Sequence, residues 1–522
     1  MAISRKKNIV IIPHTNPDGD AIGSALALMH LLSKLGHFVS VISPNIAPNF
    51  LKWTPGFDKI LFHDTNKDFC ENLIQNSIEK RAKEYESIAR SIWNWAELGY
   101  QEEKSSALLK KTLSDEGFSI KSNVAKIPTA FVAEYGSGKP IIGILAEFDA
   151  LPGISQEVAT ERKPILGQAG GHACGHHLFG TASTAAAIAV KQYLDKSKKK
   201  GTIRLYGTPA EEGGSGKVYM VRAGSFDDVD IVLDWHASDR NAADPGTSMA
   251  NRSAKFRFHG YSAHAAGAPE KGRSALDAVE AMNHMVNLLR EHIPDGSRIH
   301  YVITRGGNAP NVVPDFAEVF YYVRDFNVDI LEDIWSRLLK TAQAAALGTD
   351  TRLEYEIIHG NRPVLANNVA QKIMYSNLKT IGGINYNRTE MKFANEIYKT
   401  LRNPGLDLES AGEVQPYGFR KGKGSTDVGD VSWMVPTARL RIATWVPGTS
   451  AHTWQAVSAG GMSIGMKGMV NAAKVIAGAA FDLYNDPETI KNAKKELIER
   501  RGPEFNYYSL LGERDPPLDY RK

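Results

Sequence analysis

The sequence predicts an α/β protein of more than one domain, and three observations carry that prediction. The chain has 522 residues, more than one hydrophobic core organises. Its opening segment alternates strand, helix and strand. Farther on, three apolar strand patterns each run into acidic or histidine side chains, and a later block reads β-α-β-β-α-β.

At the start, NIVIIP (8–13) has the pattern of a short buried strand. AIGSALALMHLLSKLG (21–36) has helical spacing of apolar residues and ends at Gly36, a natural C-cap, and HFVSVIS reads as a second strand. Together they predict the β-α-β opening of a doubly wound sheet. TNKDFCENLIQNSIEKRAKEYES (65–87) then reads as a polar linker turning into a helix. YESIARSIWNWAEL is amphipathic, with Ile88, Ile92, Trp95 and Leu98 near helical spacing.

The three apolar strands follow. PIIGILAEFDALPG carries Glu147 and Asp149 at its end, TIRLYGTPAEEGGSG carries Glu211 and Glu212, and VDIVLDWHAS carries His236. In open α/β sheets ligands gather beyond the carboxyl ends of the strands, so three strands ending in metal-competent side chains form one coherent signal. From about 250 to 365 the β-α-β-β-α-β order of a ferredoxin-like unit appears. It reads as an insertion, because metal-competent residues return in WVPGTSAHTW (445–454). The long helix SIGMKGMVNAAKVIAGAAFDLY is expected to pack on the first sheet. The predicted units are 1–75, an N-terminal βαβ fragment; 80–247 and 366–522, two parts of one catalytic domain; and 248–365, the insertion.

Composition excludes several classes. The formal net charge is +4 and the lysine runs, as around Lys196–Lys200, are short, so no nucleic-acid partner is expected. Cys70 and Cys174 are the two cysteines, which makes a disulfide framework implausible and a reducing compartment the natural setting. The apolar run before Pro13 is too short for a signal peptide. No stretch of about 18 apolar residues predicts a membrane span. A cytoplasmic location is the default expectation.

The densest chemical motif is GGHACGHHLFGTASTAAAIAV (170–190), with Cys174, His172, His176 and His177. A Cys and a His two apart do not face each other on a helix, but they can converge from a loop just before one. A helix N-terminus also favours the thiolate that binds metal. One such cysteine alone reads as a buried thiol in a glycine-rich turn; three histidines beside it favour a metal site. In GTPAEEGGSGK (207–217), adjacent side chains on an extended segment diverge, so one glutamate can ligate metal while the other acts as general base. Alone, either glutamate reads as a solvated loop residue, and His236 or His452 as a hydrogen-bonded structural histidine. Cys174, His176, a glutamate, His236 and His452 together suffice for two metals sharing a ligand, with zinc suited and manganese admissible.

These residues sit in segments that resemble the metal-dependent amidohydrolases of the aminoacylase and carboxypeptidase superfamily, and within it the p-aminobenzoyl-glutamate hydrolase branch. The matching segments are AEFDALPG, HACGHHLFGTAS, TPAEEGGSGK, GYSAHAAGAPEKGRSALDAV, APNVVP, GSTDVGDVSW and GTSAHTW, spread in order from about residue 80 onward. The resemblance implies a two-metal-peptidase α/β catalytic domain with an inserted dimerisation or lid domain. It implies metal ligands Cys174, His176, Glu212, His236 and His452, general base Glu211, and Asp149 as a supporting carboxylate. His264 would steady the oxyanion across a dimer, and Asn311 and Arg324 would contact a substrate carboxylate. An ordinary strand arginine is the plainer reading of Arg324 taken alone. The implied reaction is hydrolysis of the amide of an N-acyl or N-aroyl amino acid, p-aminobenzoyl-glutamate-like substrates favoured, with two divalent ions (Mn or Zn). The implied assembly is a homodimer or a hetero-oligomer with a related subunit.

Two features depart from that pattern. His177 stands where many relatives carry Asp, which leaves its role open. PHTNPDGDAIGSALAL (13–28) resembles instead the first motif of the DHH phosphoesterases, with His14, Asp18 and Asp20 at its metal-ligand positions. That likeness ends by about residue 65 with no downstream Asp-His-His motif, so the segment reads as a truncated module with a structural role. Nucleotide phosphoesterase activity from this module, or a non-catalytic partner subunit, are the alternative readings.

Overall fold

The computed structural model describes residues 6–14, 17–43, 51, 53–62 and 74–521. Cys70 and the first part of segment 65–87 lie outside the described residues. The chain divides into two compact units, Met1–Glu79 and Lys80–Lys522.

In the first unit, strands Asn8–Ile11, Phe38–Ser43 and Ile60–Phe62 form a parallel sheet in that order. The intervening helix Gly19–Lys34 starts at Asp18, whose carboxylate accepts a hydrogen bond from the Ala21 amide at 2.9 Å. Gly36, at φ +85°, turns the chain out of the helix in a conformation that only glycine adopts without strain. Ile22, Leu26 and Met29 pack against Val41, Leu51 and Ile60. The third strand has three residues, too few to show an alternation in the sequence.

The second unit is built on a six-stranded mixed sheet. Its order is Thr437–Ala443, Ile231–Ser238, Ile141–Ala146, Gly201–Gly207, Phe131–Ser137 and Ser119–Ser122. The first four strands are parallel and the last two antiparallel. Ile141–Ala146 is buried throughout, as expected of a central strand covered on both faces. Helices His176–Ser197 and Ser463–Asn485, rich in alanine and glycine, pack on each other and on this sheet. Two expectations shift. The helix Ala82–Trp95 stops at Ala96, whose φ of +42° breaks it, so Leu98 lies beyond it and bridges to Ala150 instead. His236 lies inside its strand, two residues before the end at Ser238.

The ferredoxin-like unit is antiparallel, in the order Arg298–Arg305, Phe316–Asp325, Ala250–His259, Arg352–Asn361. Helices Ala275–Leu289 and Val328–Gly348 cover one face, where Phe256, Phe258, Tyr321, Leu338 and Trp335 form its core. Alternation sends Lys255, Arg257, Tyr322 and Arg324 to the other face.

Trp335 is 3% exposed and meets the Phe256 ring at a tilt, with 6.2 Å between centroids. Trp335→Ala is expected to cost about 3–5 kcal/mol in urea unfolding of the full chain; a loss below about 1 kcal/mol would contradict this placement of the core.

Candidate metal centre

The parallel strands all deliver their carboxyl ends to one place, and the polar side chains of the following turns converge there. Glu147 and Asp149 follow the strand Ile141–Ala146 directly. Gly175, at φ +73°, ends the loop 172–175, and His176 opens the helix. A Cβ at Gly175 would stand 2.4 Å from the Ala237 methyl, so a glycine is required for space as well as for φ. Ala210 and Ser215, at φ +57° and +58°, bracket the turn that carries Glu211 and Glu212. His452 itself sits at φ +62°. Such strained non-glycine positions cluster where a side chain must be aimed.

Three groups of ligating atoms result, each within 4.8 Å: Cys174–His176–His236, Cys174–Glu212–His452, and Glu147–His176–Glu211. Cys174 belongs to two of them. His452 Nε2 lies 3.1 Å from Cys174 Sγ and 3.3 Å from Glu212 Oε1. Asp149 ties the groups together: one oxygen lies 3.0 Å from His176 Nδ1 and the other accepts from the Glu212 amide at 2.9 Å. The structure thus gathers all five ligands named from the sequence, together with Glu211 and Asp149.

It adds residues that sequence reasoning did not assign. Glu147 Oε2 lies 3.0 Å from His176 Nε2, and Glu147 Oε1 lies 2.6 Å from Lys217 Nζ. Lys217, with no exposed surface, also holds Asp427 at 2.8 Å, and its amide donates to the same carboxylate at 2.9 Å. Lys217 and Asp427 lie in TPAEEGGSGK and GSTDVGDVSW; an ion-pair partner inside each of two matching segments was the available signal. Glu102, equally buried, accepts from the Ala210 amide and from Thr129 Oγ1.

The electrostatics follow from burying so many acids. Burial lifts Glu147 to about 7, against the pull of Lys217 and His176. Burial, and then the Asp149 charge, lift Glu102 to about 8. Burial and the neighbouring Glu147 and Glu212 push Glu211 well up. For His176 burial opposes the charge, but Glu147 and Asp149 prevail and raise the imidazole to about 10. Burial, then Glu212 and Glu211, push the Cys174 thiol well up. The helix N-terminus alone therefore does not make a thiolate here; a cation at the sulfur is needed. The donor set fits a divalent cation. It combines a thiol, imidazoles and carboxylates, with the buried His176 Nε2 and Glu147 Oε2 meeting at 3.0 Å and Glu212 Oε1 3.3 Å from His452 Nε2.

His172 and His177 take no part. Their Nε2 atoms pair with the Ile92 and Gly460 carbonyls, both at 3.1 Å, and the rings pack 4.9 Å apart. That gives His177 a packing role. His264 and Asn311 lie outside the three groups, exposed and side by side in the inserted unit through the His264–Val312 bridge. Arg324 lies over the Tyr322 ring at 5.4 Å, and its buried Nε has no hydrogen-bond partner. No described carboxylate pairs with it, and burial lowers its pKa. Beside it, burial followed by Arg324 drives His359 down to about 4, while Glu212 pulls the other way. His359 is therefore close enough to Glu212 to feel its charge. In the first unit, His14 lies 3.8 Å from Asp18, both exposed, and Asp18 serves as the helix cap. No described residue of that unit belongs to a metal-competent group of three.

A sheet whose strand ends gather thiol, imidazole and carboxylate, with a ferredoxin-like insertion beside it, defines the class: a metal-dependent hydrolase. Comparison with known proteins makes it particular. Peptidase family M20/M25/M40 matches residues 143–396. The chain is 40% identical over 451 residues to one of the subunits of p-aminobenzoyl-glutamate hydrolase of Escherichia coli (strain K12), covering 81% of this chain and 94% of that protein. It is 28% identical over 436 residues to Xaa-Arg dipeptidase of Mus musculus, covering 80% and 90%. It shares its fold with a dinuclear metal binding peptidase of the M20 family from Bacillus subtilis, with TM-score 0.54, 16% identity, and coverage of 78% of this chain and 99% of that one. The chain belongs to peptidase family M20/M25/M40 and is a metal-dependent amidohydrolase. The N-terminal domain of the DHH family matches residues 8–88, extending that likeness past residue 65. Among the described residues, no helix is long and apolar enough to cross a membrane.

Lys217→Met leaves Glu147 and Asp427 buried without their cation. The variant is expected to lose about 3–5 kcal/mol in urea unfolding; unchanged stability would show that the lysine is not their counter-charge.

Proposed function

We propose that the protein hydrolyses the amide bond between an acyl or aroyl group and an amino acid, with p-aminobenzoyl-glutamate-like substrates favoured. The observation that carries this reading is the division of the Glu211–Glu212 pair. Glu212 faces Cys174 and His452, while Glu211 faces the neighbouring group with Glu147 and His176. One carboxylate is thus free for proton transfer beside a ligand set. The name of the Escherichia coli relative supports the substrate class.

In this reading Cys174, His176, Glu212, His236 and His452 hold two divalent ions, zinc or manganese, consistent with the dinuclear character named for the Bacillus subtilis peptidase. When bound, such ions polarise the scissile carbonyl and acidify water. Glu211 takes the proton from the attacking water and returns it to the departing amine nitrogen. Asp149 fixes the His176 ring and the Glu212 backbone, which keeps the two glutamates apart. Arg324, a guanidinium without a carboxylate partner, takes the substrate carboxylate together with Asn311. His264, exposed in the inserted unit, steadies the oxyanion of a neighbouring subunit's site. That subunit is a second copy or a related chain; the Escherichia coli relative is named as one subunit of its hydrolase, which supports the related chain. The catalytic domain comprises 80–247 and 366–522, with 248–365 as dimerisation or lid insertion. The N-terminal fragment is structural, and the chain works in the cytoplasm.

Purified protein supplied with manganese or zinc is expected to release p-aminobenzoate from p-aminobenzoyl-glutamate. Glu211→Gln is expected to lower kcat by roughly 10²–10⁴ while the bound metal is retained; full activity in this variant would remove Glu211 from the mechanism. Arg324→Lys is expected to raise KM by about tenfold or more, because a bidentate charged contact contributes about 1.5–3 kcal/mol. A changed kcat at constant KM would argue against a substrate-carboxylate contact.

A further inference from the structure

A separate cavity lies at the edge of the six-stranded sheet. The edge strand Thr437–Ala443 is met on its outer side by residues 241–247, where Ala242 and Arg441 exchange backbone hydrogen bonds of 2.9 and 2.7 Å. Next to them, Gly246–Thr247 pairs with Arg420–Lys421 in a short parallel ribbon, just before the inserted sheet begins at Ala250. Between ribbon and edge strand is a cavity of about 350 Å³, lined by Asp244, Thr247, Arg420, Lys421, Arg439 and Arg441.

The charges around it do not balance. Arg420 pairs with Asp244, and Arg439 pairs with Asp234 at 2.7 Å. Among the described residues, Arg441 and Lys421 have neither a carboxylate partner nor a side-chain hydrogen bond, and Lys421 rests over the Phe326 ring at 4.0 Å. Once the two pairs cancel, two cations remain. Gathering like charges in a cavity is unfavourable unless an anion joins them. A guanidinium fork and an ammonium lining one cavity suit an oxyanion, and two uncompensated charges match a dianion.

We infer that this cavity is a binding site for a phosphate group, free or carried on a small molecule, held between Arg441 on the edge strand and Lys421 on the ribbon. None of its lining residues belongs to the metal-competent groups. Arg441 stands in register with His236 on the neighbouring strand, so the site is one strand away from the metal centre. An occupied site would join the catalytic sheet to the ribbon from which the insertion departs.

The test is isothermal titration of the full chain with inorganic phosphate at low ionic strength, with glutamate as a second titrant. Saturable phosphate binding is expected, at least tenfold weaker in Arg441→Gln and in Lys421→Gln, with amide hydrolysis in both variants close to that of the parent. Both residues keep substantial contact with solvent, so thermal unfolding in anion-free buffer is expected to give Tm values at or above the parent's. Should one variant fold poorly, the other carries the comparison. Phosphate affinity equal in parent and variants would place the anion elsewhere and overturn the assignment. Binding of glutamate but not phosphate would overturn the phosphate chemistry.

Discussion

A surplus of buried carboxylate at the carboxyl ends of the parallel strands governs this molecule. Glu102, Glu147, Asp149 and Asp427 are all but inaccessible to water, and Glu211 and Glu212 stand against them. Isolated buried charges cost several kcal/mol each, so such a cluster persists only where cations answer it. Lys217 answers Glu147 and Asp427 from behind, and His176 answers Glu147 and Asp149 from within. What remains is a negative field that resists ionisation of Cys174 and favours a divalent cation at the sulfur and imidazole nitrogens. The same charge imbalance that threatens the fold therefore creates the affinity on which the function rests.

Rigid backbone makes the imbalance useful. Two residues in the left-handed conformation bracket the Glu211–Glu212 turn, and Asp149 grips its amide. Tyr520 and Arg521 donate to the Glu212 carbonyl at 3.2 and 2.8 Å from the far end of the chain. Tyr520 also meets Tyr100 edge-on at 5.5 Å. Two separate segments thus fix the backbone of Glu212, one at its amide and the other at its carbonyl, and so hold the two glutamate side chains apart. Preorganisation of this kind spares reorganisation during reaction.

Much of this was legible in the sequence because it is local. Apolar runs marked the central strands, the Ala-rich run marked the helix behind Cys174, and the β-α-β-β-α-β order marked the insertion. The candidate ligands could be named because they sit near strand ends or at a helix start, within dense motifs. What could not be read is what depends on distance along the chain. The Lys217–Asp427 pair joins residues 210 apart, and no periodicity signals it. The thiolate expected from the helix N-terminus ignored the acids that folding brings to Cys174. The roles of the histidines at 172 and 177 could not be read from the motif, because the fold turns both to backbone carbonyls, one from the loop and one from the helix. The cavity beside Arg441 likewise depends on residues far apart in the chain, the ribbon of Gly246–Thr247 with Arg420–Lys421.

The most direct test of the central claim is the metal stoichiometry of the purified chain, by elemental analysis, before and after chelation and in Cys174→Ser. Two divalent ions per chain are expected, with both occupancy and amide hydrolysis lost on chelation and restored together by zinc or manganese, and with occupancy reduced in Cys174→Ser. A chain that hydrolyses the amide unchanged after complete chelation, or that keeps full metal occupancy without the sulfur, would contradict it.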